Sequence, residues 1–209
     1  MAKVRQGAGG AAGRDYKAGP GGLEARGFAQ WYVDLEIERL KALDFEAVTE
    51  MAAVLEDARA NGKRIFLAGN GGSAALASGF CTDFCKTAAG DGKPLLKALS
   101  LTDNGSYLTA VGNDIGFDSV FSRQLENWLE KGDVVLLISG SGDSPDVIKA
   151  AEYAKARGAK VLAMTGFDGG RLKPLADICL HVPCDQYGVI EDLHQAACHI
   201  LTFYLGQSR

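Results

Sequence analysis

Five short apolar runs, near residues 64–69, 95–100, 134–139, 160–165 and 177–182, alternate with helical stretches near 73–87, 104–111, 115–131, 144–157 and 188–206. Strand and helix in alternation predict a parallel sheet with crossover helices on both faces, and they place ligands at the carboxyl ends of the strands. The chain is therefore expected to be an α/β protein. Two of those strand ends share a chemistry. Arg64-Ile65-Phe66-Leu67-Ala68 runs into Gly69-Asn70-Gly71-Gly72-Ser73, and Val134-Val135-Leu136-Leu137-Ile138 runs into Ser139-Gly140-Ser141-Gly142-Asp143-Ser144. Each turn can aim backbone N–H groups and hydroxyls outward, and each precedes a helix whose N-terminus favours an anion. A small phosphorylated metabolite is the expected ligand.

In the first turn, Gly71 and Gly72 permit positive φ and close approach of a ligand, Asn70 brings an amide, and Ser73 is positioned to cap the following helix. In the second, Ser139, Ser141 and Ser144 offer three hydroxyls, and Pro145 suits the first turn of a helix. Neither turn has the Gly-Lys-Ser/Thr of a nucleotide P-loop or the glycine spacing of a dinucleotide site. Asp103, at the end of the second run, could accept hydrogen bonds from sugar hydroxyls or cap the helix after it. Thr165-Gly166-Phe167-Asp168-Gly169-Gly170, at the fourth, has the composition of a structural connector.

Before the first strand, Phe28, Trp31, Leu35, Ile37, Leu40, Leu43, Phe45, Val48, Met51 and Leu55 recur at steps of about three or four, which predicts two helices broken near Asp44. Residues 1–22, rich in Gly and Ala, are expected to form a flexible arm, and 23–209 a single domain. A formal charge of -4 without a Lys/Arg cluster argues against nucleic-acid binding, and no apolar stretch reaches membrane-spanning length. The expected compartment is the cytoplasm. Cys81, Cys85, Cys179, Cys184 and Cys198 form no CxxC pair and are expected to be reduced, packing as small apolar side chains.

From about Trp31 to Leu205 the chain resembles the SIS (sugar isomerase) domain family, and within it the phosphoheptose isomerases. The resemblance runs through the two turns already described, Ala110-Val111-Gly112-Asn113-Asp114-Ile115-Gly116-Phe117, Gly132-Asp133-Val134, the Thr165 to Gly170 connector and His199-Ile200-Leu201, in family order. It implies a three-layer α/β/α sandwich around a five-stranded parallel sheet, preceded by helices that assemble a homo-oligomer, a tetramer in most members, with sites at subunit boundaries. It also implies that Asn70, Gly71, Ser73, Asp103, Ser139, Ser141 and Ser144 bind a sugar phosphate, and that His199 is catalytic.

Where the family places a His, a Glu, a Gln and a His, this chain has Gly79, Asp83, Glu191 and His199. The implied reaction converts sedoheptulose 7-phosphate to a manno-heptose 7-phosphate through an enediol, with His199 and a carboxylate from Glu191 or Asp83 exchanging protons. At 100° per residue, Glu191 and His199 fall about 80° apart on the last helix, compatible with lining one cleft. The reaction requires no cofactor; one nitrogen and two oxygen ligands from Asp83, Glu191 and His199 could nonetheless take a divalent metal such as zinc. The alternative is a non-catalytic member that senses a sugar phosphate or serves as a protein-binding scaffold.

Overall fold

The computed structural model describes residues 19–90 and 92–207. Its strands are β1 (Arg64–Gly69), β2 (Lys97–Ser100), β3 (Val134–Ser139), β4 (Lys160–Thr165) and β5 (Ile178–His181), all parallel in the order β2-β1-β3-β4-β5. Every residue of β3 is buried, as a central parallel strand covered on both faces requires. Alternate side chains of the strands enter two cores. Ile65, Leu67, Leu136 and Met164 meet Met51, Leu55, Phe80, Phe84 and Leu201 on one face. Phe66, Val135 and Leu137 meet Phe121, Leu125, Val147 and Ala151 on the other. The result is the three-layer sandwich expected.

The helices are α1 (Ala25–Lys41), α2 (Phe45–Ala60), α3 (Gly72–Thr82), α4 (Gly105–Asp114), α5 (Ser122–Trp128), α6 (Pro145–Ala156), α7 (Leu172–Leu175) and α8 (Tyr187–Gly206). The break near Asp44 is a cap: its carboxylate accepts from the Ala47 amide at 3.0 Å. α1 packs along α8 but contributes no fully buried residue. Most of the expected N-terminal arm lies outside the described residues; Gly19 packs so tightly against Trp31 that a Cβ there would come within 2.7 Å of the ring.

Three local expectations are corrected. The single helix near 115–131 is split into a 3₁₀ turn (Phe117–Ser119) and α5, because Gly116 takes φ 139° and closes α4 through its amide on the Val111 carbonyl. α4 is capped by Asn104, whose Oδ1 accepts from the Tyr107 amide at 3.0 Å, and not by Asp103. The helix near 73–87 changes after Thr82 into a π-helical turn (Asp83–Thr87).

The strand order carries the functional consequence. β2 lies on one side of β1 and β3 on the other, so the chain leaves their carboxyl ends in opposite directions and opens a crevice there. Both Gly/Ser turns flank that crevice.

Candidate active site

β1 delivers the first turn. Gly69 leaves no room for a side chain, since a Cβ there would lie 2.7 Å from the Ile138 carbonyl oxygen. Gly71 takes φ 56° and is itself the N-cap of α3, with no side-chain cap. The expected capping role of Ser73 is thus corrected: Ser73 sits inside the first turn, buried, beside helix amides that no side chain satisfies. Asn70 donates through Nδ2 to both carboxylate oxygens of Asp146, at 3.0 and 2.9 Å. Asp146 is buried in the first turn of α6, and that burial pushes its carboxyl above the usual range against the hydrogen bonds from Asn70. One buried carboxylate therefore ties the two turns together.

The second turn is held mostly by its own hydroxyls. Ser139 Oγ accepts from the Gly142 amide at 3.1 Å, Ser141 Oγ accepts from the Asp143 amide at 3.2 Å, and Ser144 Oγ lies 3.4 Å from Ser139 Oγ. The Thr165 to Gly170 connector buttresses it from behind. The Gly166 amide donates to the Gly140 carbonyl at 2.8 Å, and a Cβ on Gly170 would press within 2.6 Å of the Gly142 backbone. Arg171 adds its amide and guanidinium to Asp143.

Asn70, Gly71, Ser73, Ser139, Ser141 and Ser144 line one cleft of about 420 Å³, closed by Tyr187 and Glu191 from α8. Among the described residues, no Lys, Arg or His lines it. Its capacity for an anion comes from hydroxyls and from the N-termini of α3 and α6, which both start at its wall. Tyr187 had no signal in the sequence. Its ring fits over Gly140, where a Cβ would lie 2.9 Å from the ring carbon Cε1, and meets Phe167 edge-on at 4.8 Å between centroids. Phe167 reaches that position with φ 48°.

Glu191 is half-buried against the start of α3: a Cβ on Gly72 would fall 2.6 Å from its Oε2. Among the described residues nothing hydrogen-bonds or ion-pairs with it. Burial, and next the neighbouring Asp192 carboxylate, push its carboxyl up. Asp192 accepts a 2.6 Å hydrogen bond from the Tyr32 hydroxyl of α1.

The other expected residues lie apart from this cleft. Asp103 is exposed and accepts from the hydroxyls of Ser78 and Thr102. His199 is eight residues beyond Glu191, about 12 Å along α8. Half exposed, it has Nε2 3.9 Å from Asp83 Oδ2 and 2.9 Å from the Gln195 amide nitrogen. The chain thus pairs Asp83 with His199 and gives Glu191 to the phosphate cleft. No group of three or more His, Cys, Asp or Glu side chains placed to hold a metal occurs among the described residues. Zinc therefore does not fit Asp83, Glu191 and His199 as one chain arranges them. His194 is wholly buried, its Nε2 3.3 Å from the Thr165 carbonyl, and burial pulls its pKa down to about 4.

An SIS domain model matches residues 32–166, which includes both turns and stops short of α8. The chain belongs to the SIS domain family. The phosphoheptose isomerase of Nitratiruptor sp. is 42% identical over 152 residues, covering 73% of this chain and 81% of that protein. The solved phosphoheptose isomerase of Neisseria gonorrhoeae superimposes with a TM-score of 0.81 at 31% identity, covering 87% of this chain and 98% of that one. That of Francisella tularensis gives 0.82 at 29% identity over 89% and 100%. Within the SIS family, the likeness is to phosphoheptose isomerases over nearly their full length.

Proposed function

We infer that the protein is an aldose–ketose isomerase that converts sedoheptulose 7-phosphate to glycero-manno-heptose 7-phosphate. The observation that carries this reading is the cleft where two hydroxyl-bearing turns and two helix N-termini converge. Such a site holds a phosphate by directed N–H and O–H donors, which fix one end of a sugar. Asn70, Gly71, Ser73, Ser139, Ser141 and Ser144 hold the phosphorylated sugar, with Asp103 at the rim for its hydroxyls.

The reaction moves two protons. A base takes a proton from C1 of the ketose, giving an enediol; a proton returns to C2, while the O1 proton is transferred to O2, leaving an aldehyde at C1. Glu191 is the carboxylate within the cleft, and Asp83 with His199 forms a second proton-handling pair on the exposed side of α8. In a homotetramer the exposed pair is available to a neighbouring subunit's cleft. The exposed apolar residues Val33, Ile37, Phe45, Ile200 and Phe203 suit such assembly. No described helix is long and apolar enough to cross a membrane, and we place the reaction in the cytoplasm.

Incubation with sedoheptulose 7-phosphate in deuterated water tests the reading. Deuterium should enter the sugar, chelator should leave the rate unchanged, and His199→Ala or Glu191→Gln should each lower it at least about a hundredfold. Binding without deuterium uptake would instead make the protein a sugar-phosphate sensor.

A further inference from the structure

Cys81 and Cys85 stand four residues apart where α3 passes into the π-helical turn, and both reach one edge of the sheet. The Leu101 amide donates to the Leu67 carbonyl of β1, so the backbone groups of Leu96, Ala98 and Ser100, in the alternate register, point away from β1. β2 ends the sheet there. The Cys85 thiol donates to the Leu96 and Ala98 carbonyls at 3.7 and 3.5 Å, the Ser100 backbone hydrogen-bonds to Cys81, and the two thiols also meet each other. They cover an open strand edge as a pair. Cys85 is exposed and Cys81 partly so, whereas Cys184 and Cys198 are buried.

Residues at this spacing on a helix hold their Cβ atoms about 5–6 Å apart, and a disulfide needs about 3.5–4.5 Å. The pair is too wide for a direct bond and suited to a bridge through one atom. Among the described residues no group of three or more His, Cys, Asp or Glu is placed to hold a metal, so two sulfurs are what the site offers. Zinc, which takes four ligands in structural sites, does not suit it. Two thiols and nothing harder select a soft centre that binds sulfur in preference to oxygen. We propose that Cys81 and Cys85 form a dithiol site for trivalent arsenic, closed by two As–S bonds across the start of the π turn. With an arsenous oxide, As–O bonding is exchanged for two As–S bonds, both thiol protons leave with the oxide oxygen as water, and arsenic stays trivalent. No oxidant is needed. Burial holds the Cys81 thiol protonated, which slows attack by a free thiolate but not an exchange that consumes both thiol protons. Neither cysteine lines the phosphate cleft, so the site is independent of what that cleft binds.

Phenylarsine oxide titrated into the full chain at pH 7 tests the assignment. Intact mass should show one phenylarsenic group per chain, and peptide mapping should place it on Cys81 and Cys85. Excess 2-mercaptoethanol should leave the adduct in place, while 2,3-dimercaptopropanol should strip it. Cys85→Ser, at an exposed position, should weaken binding at least about a hundredfold by breaking the chelate, as should Cys81→Ala, and Cys179→Ser should bind as the unmodified protein does. Amides of Asp83–Thr87 should exchange more slowly in the adduct, because the bridge closes a short loop over that turn. An adduct that survives Cys85→Ser, release by the monothiol alone, or unchanged exchange across the turn would overturn the proposal.

Discussion

Asn70 shows how one side chain can serve structure and site together. Its amide is the bridge from the first turn to Asp146, a carboxylate only 2% exposed, so the distance between the two turns depends on it. Asn70→Leu removes both bonds and leaves Asp146 with backbone donors alone. The expected cost is about 1–3 kcal/mol in urea unfolding, with weaker sugar-phosphate binding in the folded fraction. His194 makes a second prediction, in pH. Its pKa is about 4 when folded against an ordinary histidine value of 6.5, so between those values the unfolded chain binds a proton that the folded chain does not. Stability from this residue is then intact above about pH 6.5 and is lost as pH falls toward 4, by up to about 3 kcal/mol. Thermal melts from pH 7 to 4.5 should show a shallower decline in His194→Gln than in the unmodified protein. At this scale the sequence was informative where chemistry is local. The serines and glycines of both turns stand in the cleft because strand, turn and helix are adjacent in the chain. Tyr187 enters only because α8 folds back over Gly140, and the bridge to Asp146 joins residues 76 positions apart. Neither could be found by periodicity.

Helices and strands repeat the lesson with different causes. Strand existence followed from continuous apolar runs, but β2 begins at Lys97 rather than 95, where pairing to Arg64 starts. The free edge of β2 is covered by thiols. Cys85 Sγ lies 3.5 Å from the Ala98 carbonyl oxygen and 3.7 Å from that of Leu96, and the Ser100 amide reaches Cys81. Burial raises the Cys81 pKa to about 11, which keeps that thiol protonated and unreactive, as befits packing. The π-helical turn that carries Cys85 leaves no trace in hydrophobic spacing, since a single widened turn barely shifts the apolar face. The ends of two elements meet at Arg59, another feature without sequence signature. Its guanidinium is buried and donates to the Leu205 carbonyl at 2.9 Å and the Ala88 carbonyl at 2.7 Å, capping the last turn of α8 and the close of the π turn. Arg59→Met keeps the stem but abandons both carbonyls. It should lower unfolding free energy by about 2–4 kcal/mol, and amide exchange should report the loss first in the last turn of α8.

For the whole molecule, the alternation of strand and helix was enough to give the layers, and the switch between β1 and β3 fixed where the cleft opens. What one chain leaves incomplete is the relation of Asp83 and His199 to that cleft, about 12 Å further along α8 from Glu191. Assembly would resolve it. Val33 and Ile37 lie four residues apart on α1, 47% and 44% exposed, on a helix whose packing within the chain is along α8. Charges at these two positions should not disturb the core, because α1 buries no residue fully. Val33→Glu with Ile37→Glu is therefore expected to leave the fold intact while breaking subunit contacts. Sedimentation equilibrium should show the unmodified protein near four times the 22.0 kDa chain mass, and the double variant as smaller species. If a neighbour supplies the Asp83 and His199 pair, turnover of sedoheptulose 7-phosphate should fall at least about tenfold on dissociation. Affinity for inorganic phosphate should stay within about threefold, because both phosphate turns belong to one chain. Full turnover by the dissociated species would show that a single subunit brings its own His199 to the sugar.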